Sequence, residues 1–203
     1  MELQTIPLAG ADLRFAPAWL PASQANALFG ELLRDIPWEV HRIRMFGRVV
    51  DSPRLSCWIG DADARYRYSG TLFEPQPWPH SLAALRARLS DELGVALNSV
   101  LANRYRNGRD AMGWHRDDEP ELGPQPVIAS VSLGATRRFR LKADDPALPP
   151  LSLDLPHGSL LVMRGHTQAR FRHALPRTAR PVGERINLTF RCVCRLPAPG
   201  RAA

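Results

Sequence analysis

The chain carries two hydrophobic rhythms, and the change from one to the other falls near residue 98. Ahead of it, apolar residues return at intervals of three and four. Ala22 to Leu33 follows this spacing, with Ser23 placed to cap its first turn. His80 to Leu93 follows it more regularly: Leu82, Leu85, Leu89 and Leu93 form one stripe, Ser81 is placed to cap it, and Gly94 ends the run. Both stretches predict helices whose stripes face a core.

Beyond Asn98 the apolar runs become short and often alternate. Val100–Tyr105, Val127–Leu133, Arg138–Leu141, Leu151–Leu155, Ser159–Met163 and Arg185–Val193 read as strands. Asn107-Gly108, Gly134, Pro149-Pro150 and Pro156-His157-Gly158 supply turns between them. Strands without intervening helices exclude a doubly wound sheet and predict antiparallel sheets in a sandwich or barrel. The expected class is mainly β with flanking helices (α+β). Helices come first, then a β-core of about a hundred residues, an order that a jelly roll fits.

The 203 residues suit one domain, and 44% hydrophobic content is enough to fill a core. No apolar run reaches the roughly 20 residues of a membrane span. Met1 to Gly10 holds no basic residue and does not resemble a secretory leader. A soluble, cytoplasmic protein without a membrane partner is expected. Cys57, Cys192 and Cys194 are too few for a disulfide framework and read as small buried or half-buried residues. The net charge of +7 is uneven: residues 164–203 hold nine arginines against Glu184 alone, and 41–60 hold Arg42, Arg44, Arg48 and Arg54 against Asp51. Such clustering fits a basic face that meets phosphates.

Candidate chemistry starts at Gly113-Trp114-His115-Arg116-Asp117. In extended chain, residues two apart share a face, so His115 and Asp117 present an imidazole and a carboxylate to one point. A third imidazole would complete the two-histidine, one-carboxylate set of non-haem iron oxygenases. His157, His166 and His173 are all available, and spacing does not choose among them; His157, inside a Pro-His-Gly turn, reads as structural. In Arg185–Cys192 the odd positions are polar and the even positions apolar. Arg185, Asn187, Thr189 and Arg191 therefore share a face, which is either solvated or the wall of a polar pocket whose arginines clamp a dicarboxylate. Asn103 and Tyr105 share a face in the same way, with Arg104 and Arg106 opposite.

Six motifs follow in order: Asn103-Arg104-Tyr105, Gly113 to Glu119, Ile128 to Gly134, His157 to Met163, His173-Ala174-Leu175-Pro176, and Arg185 to Arg191. Together they resemble the AlkB family of 2-oxoglutarate and iron(II)-dependent nucleic-acid dealkylases, over roughly residues 40–195 and closest to its DNA-repair branch. The resemblance implies a double-stranded β-helix with an N-terminal nucleotide-recognition lid. One catalytic domain would span 1–195, with the lid and a helix at 40–95 and the jelly-roll core at 98–195; residues 196–203 would be a disordered tail.

The same resemblance implies His115, Asp117 and His173 as iron ligands, with His173 picked out by its His-x-Leu-Pro context. It implies Arg191 at the distal carboxylate of 2-oxoglutarate, with Asn103, Tyr105, Arg185 and Asn187 completing that pocket. Ile43 to Arg48 resembles a duplex-probing hairpin, in which Phe46 would fill the gap left by a flipped base while Arg42, Arg44 and Arg48 meet phosphates. Tyr68 would stack on the damaged base, and Asp118 would contact its exocyclic nitrogen. Ile59 stands where some relatives have tyrosine. The implied reaction uses Fe(II), 2-oxoglutarate and O2 to demethylate 1-methyladenine and 3-methylcytosine in DNA, releasing formaldehyde and succinate. The enzyme would act as a monomer. An RNA demethylase and a protein or small-molecule hydroxylase of the same fold are the alternatives. Residues 1–40 match nothing in the family.

Overall fold

Pro21 and Pro79 each stand immediately before a helix, where a fixed φ helps the first turn and no amide is lost. In the computed structural model, which describes residues 2–45, 48–68 and 71–194, the two helices are α1 (Ala22–Asp35) and α2 (His80–Leu93). Side chains at 43–49 and 66–73 lie outside that description. Neither serine caps as expected. Ser23 lies inside the first turn of α1, and Ser81 donates instead to Glu31 of α1 at 2.5 Å, joining the helices. Gly94 does end α2, at φ +66°.

In chain order the strands are β1 (Gln4–Ile6), β2 (Asp12–Ala16), β3 (Arg42–Met45), β4 (Arg48–Asp51), β5 (Leu55–Gly60), β6 (Tyr66–Tyr68), β7 (Thr71–Phe73), β8 (Ser99–Tyr105), β9 (Met112–His115), β10 (Ile128–Gly134), β11 (Arg137–Ala143), β12 (Leu151–Leu155), β13 (Ser159–Arg164), β14 (Phe171–Leu175) and β15 (Arg185–Arg191). A one-turn helix, α3 (Thr167–Arg170), precedes β14. The large sheet runs β1-β2-β13-β10-β15-β8-β5, the small sheet β12-β11-β14-β9, and β3-β4 and β6-β7 are separate hairpins.

The expected order of helices first and strands after needs correcting. β1, β2 and β5 all come from the N-terminal half yet belong to the large sheet. β2 is only five residues long and pairs along β13, so its alternation was too brief to stand out. Cys192 and Cys194 lie beyond the end of β15; Cys57 is buried, Cys192 partly so, and Cys194 is exposed against expectation.

Alternation along each strand sorts side chains into two layers. Ile186, Leu188 and Phe190 of β15 join Val100 and Ala102 of β8, Val131 and Leu133 of β10, and the leucine stripes of both helices in the main core. The opposite face of the large sheet looks toward the small sheet. There Leu13, Ile128, Leu161 and Met163 meet Leu141, Leu155 and Phe171 in a second apolar cluster. Ile59 is buried in the main core. His157 is structural, as expected: its Nδ1 accepts from the Gly134 amide at 2.8 Å. Gly158 beside it has φ +75°, and a Cβ there would lie 2.7 Å from the Leu20 carbonyl, so only glycine fits the turn.

Candidate functional site

His173 of β14 lies directly opposite His115 of β9 in the small sheet, so both rings enter the space between the sheets. Their centroids are 4.1 Å apart. Asp117, two residues past His115, returns its carboxylate to the same side. One ligand atom from each of the three lies within 4.8 Å of the others. Among the described residues no other histidine, cysteine and carboxylate group comes together in this way. His166 is exposed and takes no part.

Each member is held for the task. His115 Nδ1 donates to the Gly113 carbonyl at 2.8 Å, which leaves Nε2 with its lone pair free to bind. The Asp117 amide donates to Gln168 of α3 at 3.0 Å. His173 stacks on Phe139, with centroids 5.4 Å apart. Burial, reinforced by the facing His115, pulls His173 down to about 3, and burial also lowers His115. Burial pushes Asp117 upward, yet the charge of Arg191 and its hydrogen bond help hold the carboxyl below its usual range. Asp117 Oδ1 accepts from Arg191 at 2.7 Å, while its Oδ2 is buried with no hydrogen-bond partner. Two neutral imidazoles and an ionised carboxylate with an orphaned oxygen form the donor set that a divalent first-row metal takes.

Arg185, Asn187, Thr189 and Arg191 of β15, with Asn103 and Tyr105 of β8, line the pocket beside the triad. The polar-pocket alternative for this face is therefore the one realised, and every residue of β15 is buried. Arg185 donates to Ser132 at 2.9 Å and to Asn187 Oδ1 at 2.6 Å, and its guanidinium lies 5.2 Å from the Tyr105 ring centroid. Its Nε is buried without a partner, and burial pulls the group down to about 10.

The two arginines stand at opposite ends of the pocket, six residues or about 20 Å apart along β15 at the Cα atoms. The expectation puts Arg191 at the distal carboxylate; in the structure it lies against the triad carboxylate, and Arg185 stands at the far end of the pocket. An orphaned acceptor at one end and an orphaned donor at the other fit a metal and a dicarboxylate in turn.

Sequence reasoning missed four contributors. Ser130 and Ser132 both donate to Asn187 Oδ1. Gln168 positions Asp117 as described. Arg54 is buried and donates to Asn103 Oδ1 at 2.6 Å and to Ser52 at 3.0 Å. Its place among clustered arginines suggested a basic surface, but Arg54, Arg185 and Arg191 are all internal. The serines carried a usable signal, since Ser130 and Ser132 alternate with Ala129, Val131 and Leu133.

Of the substrate residues, Arg44 and Arg48 lie on β3 and β4, which pair as the expected hairpin, and Tyr68 lies on β6. Their side chains, and Phe46 entirely, fall outside the described residues. Asp118 is exposed beside the triad, with Arg116 Nε 3.7 Å away.

A metal-capable face and a dicarboxylate cradle inside a two-sheet β-core define a class, the 2-oxoglutarate-dependent non-haem iron oxygenases. The model of the 2OG-Fe(II) oxygenase superfamily matches residues 12–191, and the chain belongs to that superfamily of dioxygenases, a membership that implies Fe(II), 2-oxoglutarate and O2. Within it the chain belongs to the AlkB family. It is 36% identical to alpha-ketoglutarate-dependent dioxygenase alkB homolog 3 of Bos taurus, over 95% of this chain and 70% of that one. It is 39% identical to the DNA oxidative demethylase ALKBH2 of Arabidopsis thaliana, over 91% and 67%. The structure of OsALKBH1 superposes with a TM-score of 0.65 at 16% identity, over 94% of this chain and 99% of that one, and supports the fold.

Proposed function

We propose that this enzyme repairs alkylated DNA by oxidative demethylation of bases such as 1-methyladenine and 3-methylcytosine, acting as a cytoplasmic monomer. The observation that carries the reading is the pairing of this pocket with sequence similarity to proteins named DNA oxidative demethylase, over most of the chain. Bound Fe(II), with 2-oxoglutarate and O2, supplies the oxidant that hydroxylates the N-methyl carbon, and the cosubstrate leaves as succinate and CO2.

The protein's own residues bind, orient and exclude water. His115, Asp117 and His173 would hold the metal. Arg185 would take the distal carboxylate of 2-oxoglutarate, and Arg191 would hold Asp117 ionised and in place. Asn103, Tyr105 and Asn187 would fix the pocket around the chain of the dicarboxylate. Asp118, exposed beside the triad, would favour a cationic methylated base over a neutral one. Such a base pairs poorly, so lifting it from the duplex costs less. On the β3–β4 hairpin Phe46 would fill the gap, with Arg44 and Arg48 on phosphates, and Tyr68 would stack on the base. The hydroxylated methyl then departs as formaldehyde.

The test is a short DNA carrying one 3-methylcytosine, incubated with Fe(II), 2-oxoglutarate and air and read by mass spectrometry. Loss of one methyl is expected with the wild type and not with His115→Ala. Methyl loss from RNA alone would move the activity to RNA. Succinate without any methyl loss would point to a hydroxylase of another substrate class.

A further inference from the structure

The outer face of the small sheet, on the far side from the triad, is built in a way that the proposed reaction at the pocket does not use. Trp114, between Gly113 and His115 on β9, is 40% exposed. Because side chains alternate, it points away from the pocket that His115 enters. Lys142 Nζ lies 4.5 Å from its ring centroid and the Arg140 guanidinium 5.8 Å from it, both from β11. β14 lies between β9 and β11, so the indole reaches across the sheet surface.

The charges here are unbalanced. Asp154 pairs with Arg138, and Asp144 pairs with Arg116 at 2.7 Å and Arg172 at 3.5 Å. Arg140 and Lys142 form no ion pair among the described residues; both lie over the indole, and Lys142 also helps Arg116 and Arg172 hold the Asp144 carboxyl below its usual range. Arg138, Arg140 and Lys142 lie on alternate residues of one strand, roughly 7 Å apart on one face.

We infer that this face is a second nucleic-acid contact, where an unpaired base flanking the target nucleotide stacks on Trp114 and its phosphates lie along Arg140 and Lys142. The inference rests on the reading of the substrate as nucleic acid. A partly exposed ring beside two cations that form no ion pair is the combination that holds a single strand without regard to sequence. A paired base has its faces already covered by neighbours in the duplex, so the occupant is single-stranded. The path is short, because β9 is the edge strand and carries the platform on one side and His115 on the other. Asp118 is exposed three residues beyond His115, where that edge strand ends.

The test compares unmodified fluorescent oligonucleotides on the order of 5 and 20 nucleotides long, by anisotropy, in wild type, Trp114→Ala and Arg140→Glu/Lys142→Glu. Both variants should bind the long strand about tenfold more weakly and the short one as wild type does. With a 3-methylcytosine placed in each, kcat/KM should fall on the long substrate only. Should Trp114→Ala disturb β9, seen as a lower Tm, the charge-reversed surface variant decides. Wild-type affinity for the long strand in that variant overturns the inference. So does binding to anionic phospholipid vesicles without binding to oligonucleotides. No methyl loss from any oligonucleotide in wild type would sink the demethylase reading, while the anisotropy would still decide the platform.

Discussion

Two regions share the space between the same two sheets and are built to opposite rules. In one, Leu13, Ile128, Leu161, Met163, Leu141, Leu155 and Phe171 close an apolar cluster. In the other, Arg185, Asn187, Thr189 and Arg191 face His115, Asp117 and His173, and polar atoms of Asp117 and Arg185 are left buried without partners. The first region gains from burial of apolar area. The second gives stability away, because buried charges and orphaned groups cost free energy until a ligand satisfies them. Substitutions should therefore separate the two, with folding lost in one and chemistry in the other.

The largest expected effect is His173→Ala. Turnover should fall to background and metal binding, followed by spectroscopy of the loaded protein, should be lost. The Tm of the metal-free protein should hold or rise, since a buried neutral imidazole is removed. Turnover above about a tenth of wild type would break the assignment of the ligand set. Phe171→Ala, in the apolar region, should do the reverse. About 3–5 kcal/mol of stability should go, read by denaturant unfolding, with kcat per folded molecule little changed.

Arg185→Met should raise the KM for 2-oxoglutarate by about 10- to 100-fold, the loss of a charge-assisted pair. It should also abolish the rise in Tm that 2-oxoglutarate gives the wild type with Mn(II). If Arg191→Met alone produced that KM change, the two ends of the pocket would have to be exchanged. The smallest effect is on pH dependence. His173 is held down to about 3 when folded, against an ordinary 6.5. Between those values the unfolded chain binds the extra proton, so the metal-free fold loses stability as pH falls below 6.5. His173→Gln should flatten that slope by about one proton, measured by unfolding across this range.

The same contrast explains what could be read from the sequence. The strands of the β-core announced themselves because one face of each is apolar, and β15 also displayed its polar face in strict alternation. The pocket residues were legible because alternation plus the resemblance named them. The N-terminal strands were not, since β1 and β2 span three and five residues, β2 owing its place to β13 and β1 to β2. Nor could periodicity tell which arginine lies beside Asp117, because both share a face and only the register against the small sheet separates them. Arg54 looked like its neighbours in composition, and only tertiary contact with Asn103 shows it to be internal.

The two halves of the site also differ in the strands that carry them. Arg185 and Arg191 sit on β15, flanked on both sides by β10 and β8. His115 sits at the end of β9, an edge strand whose pairing with β14 shifts register between His173 and Leu175. In native-state hydrogen exchange, β15 amides should open only with global unfolding and those of β9 far sooner. A metal held by His115 and His173 would tie β9 to β14 and slow exchange at the edge, and so would serve this fold as a clasp as well as a reagent.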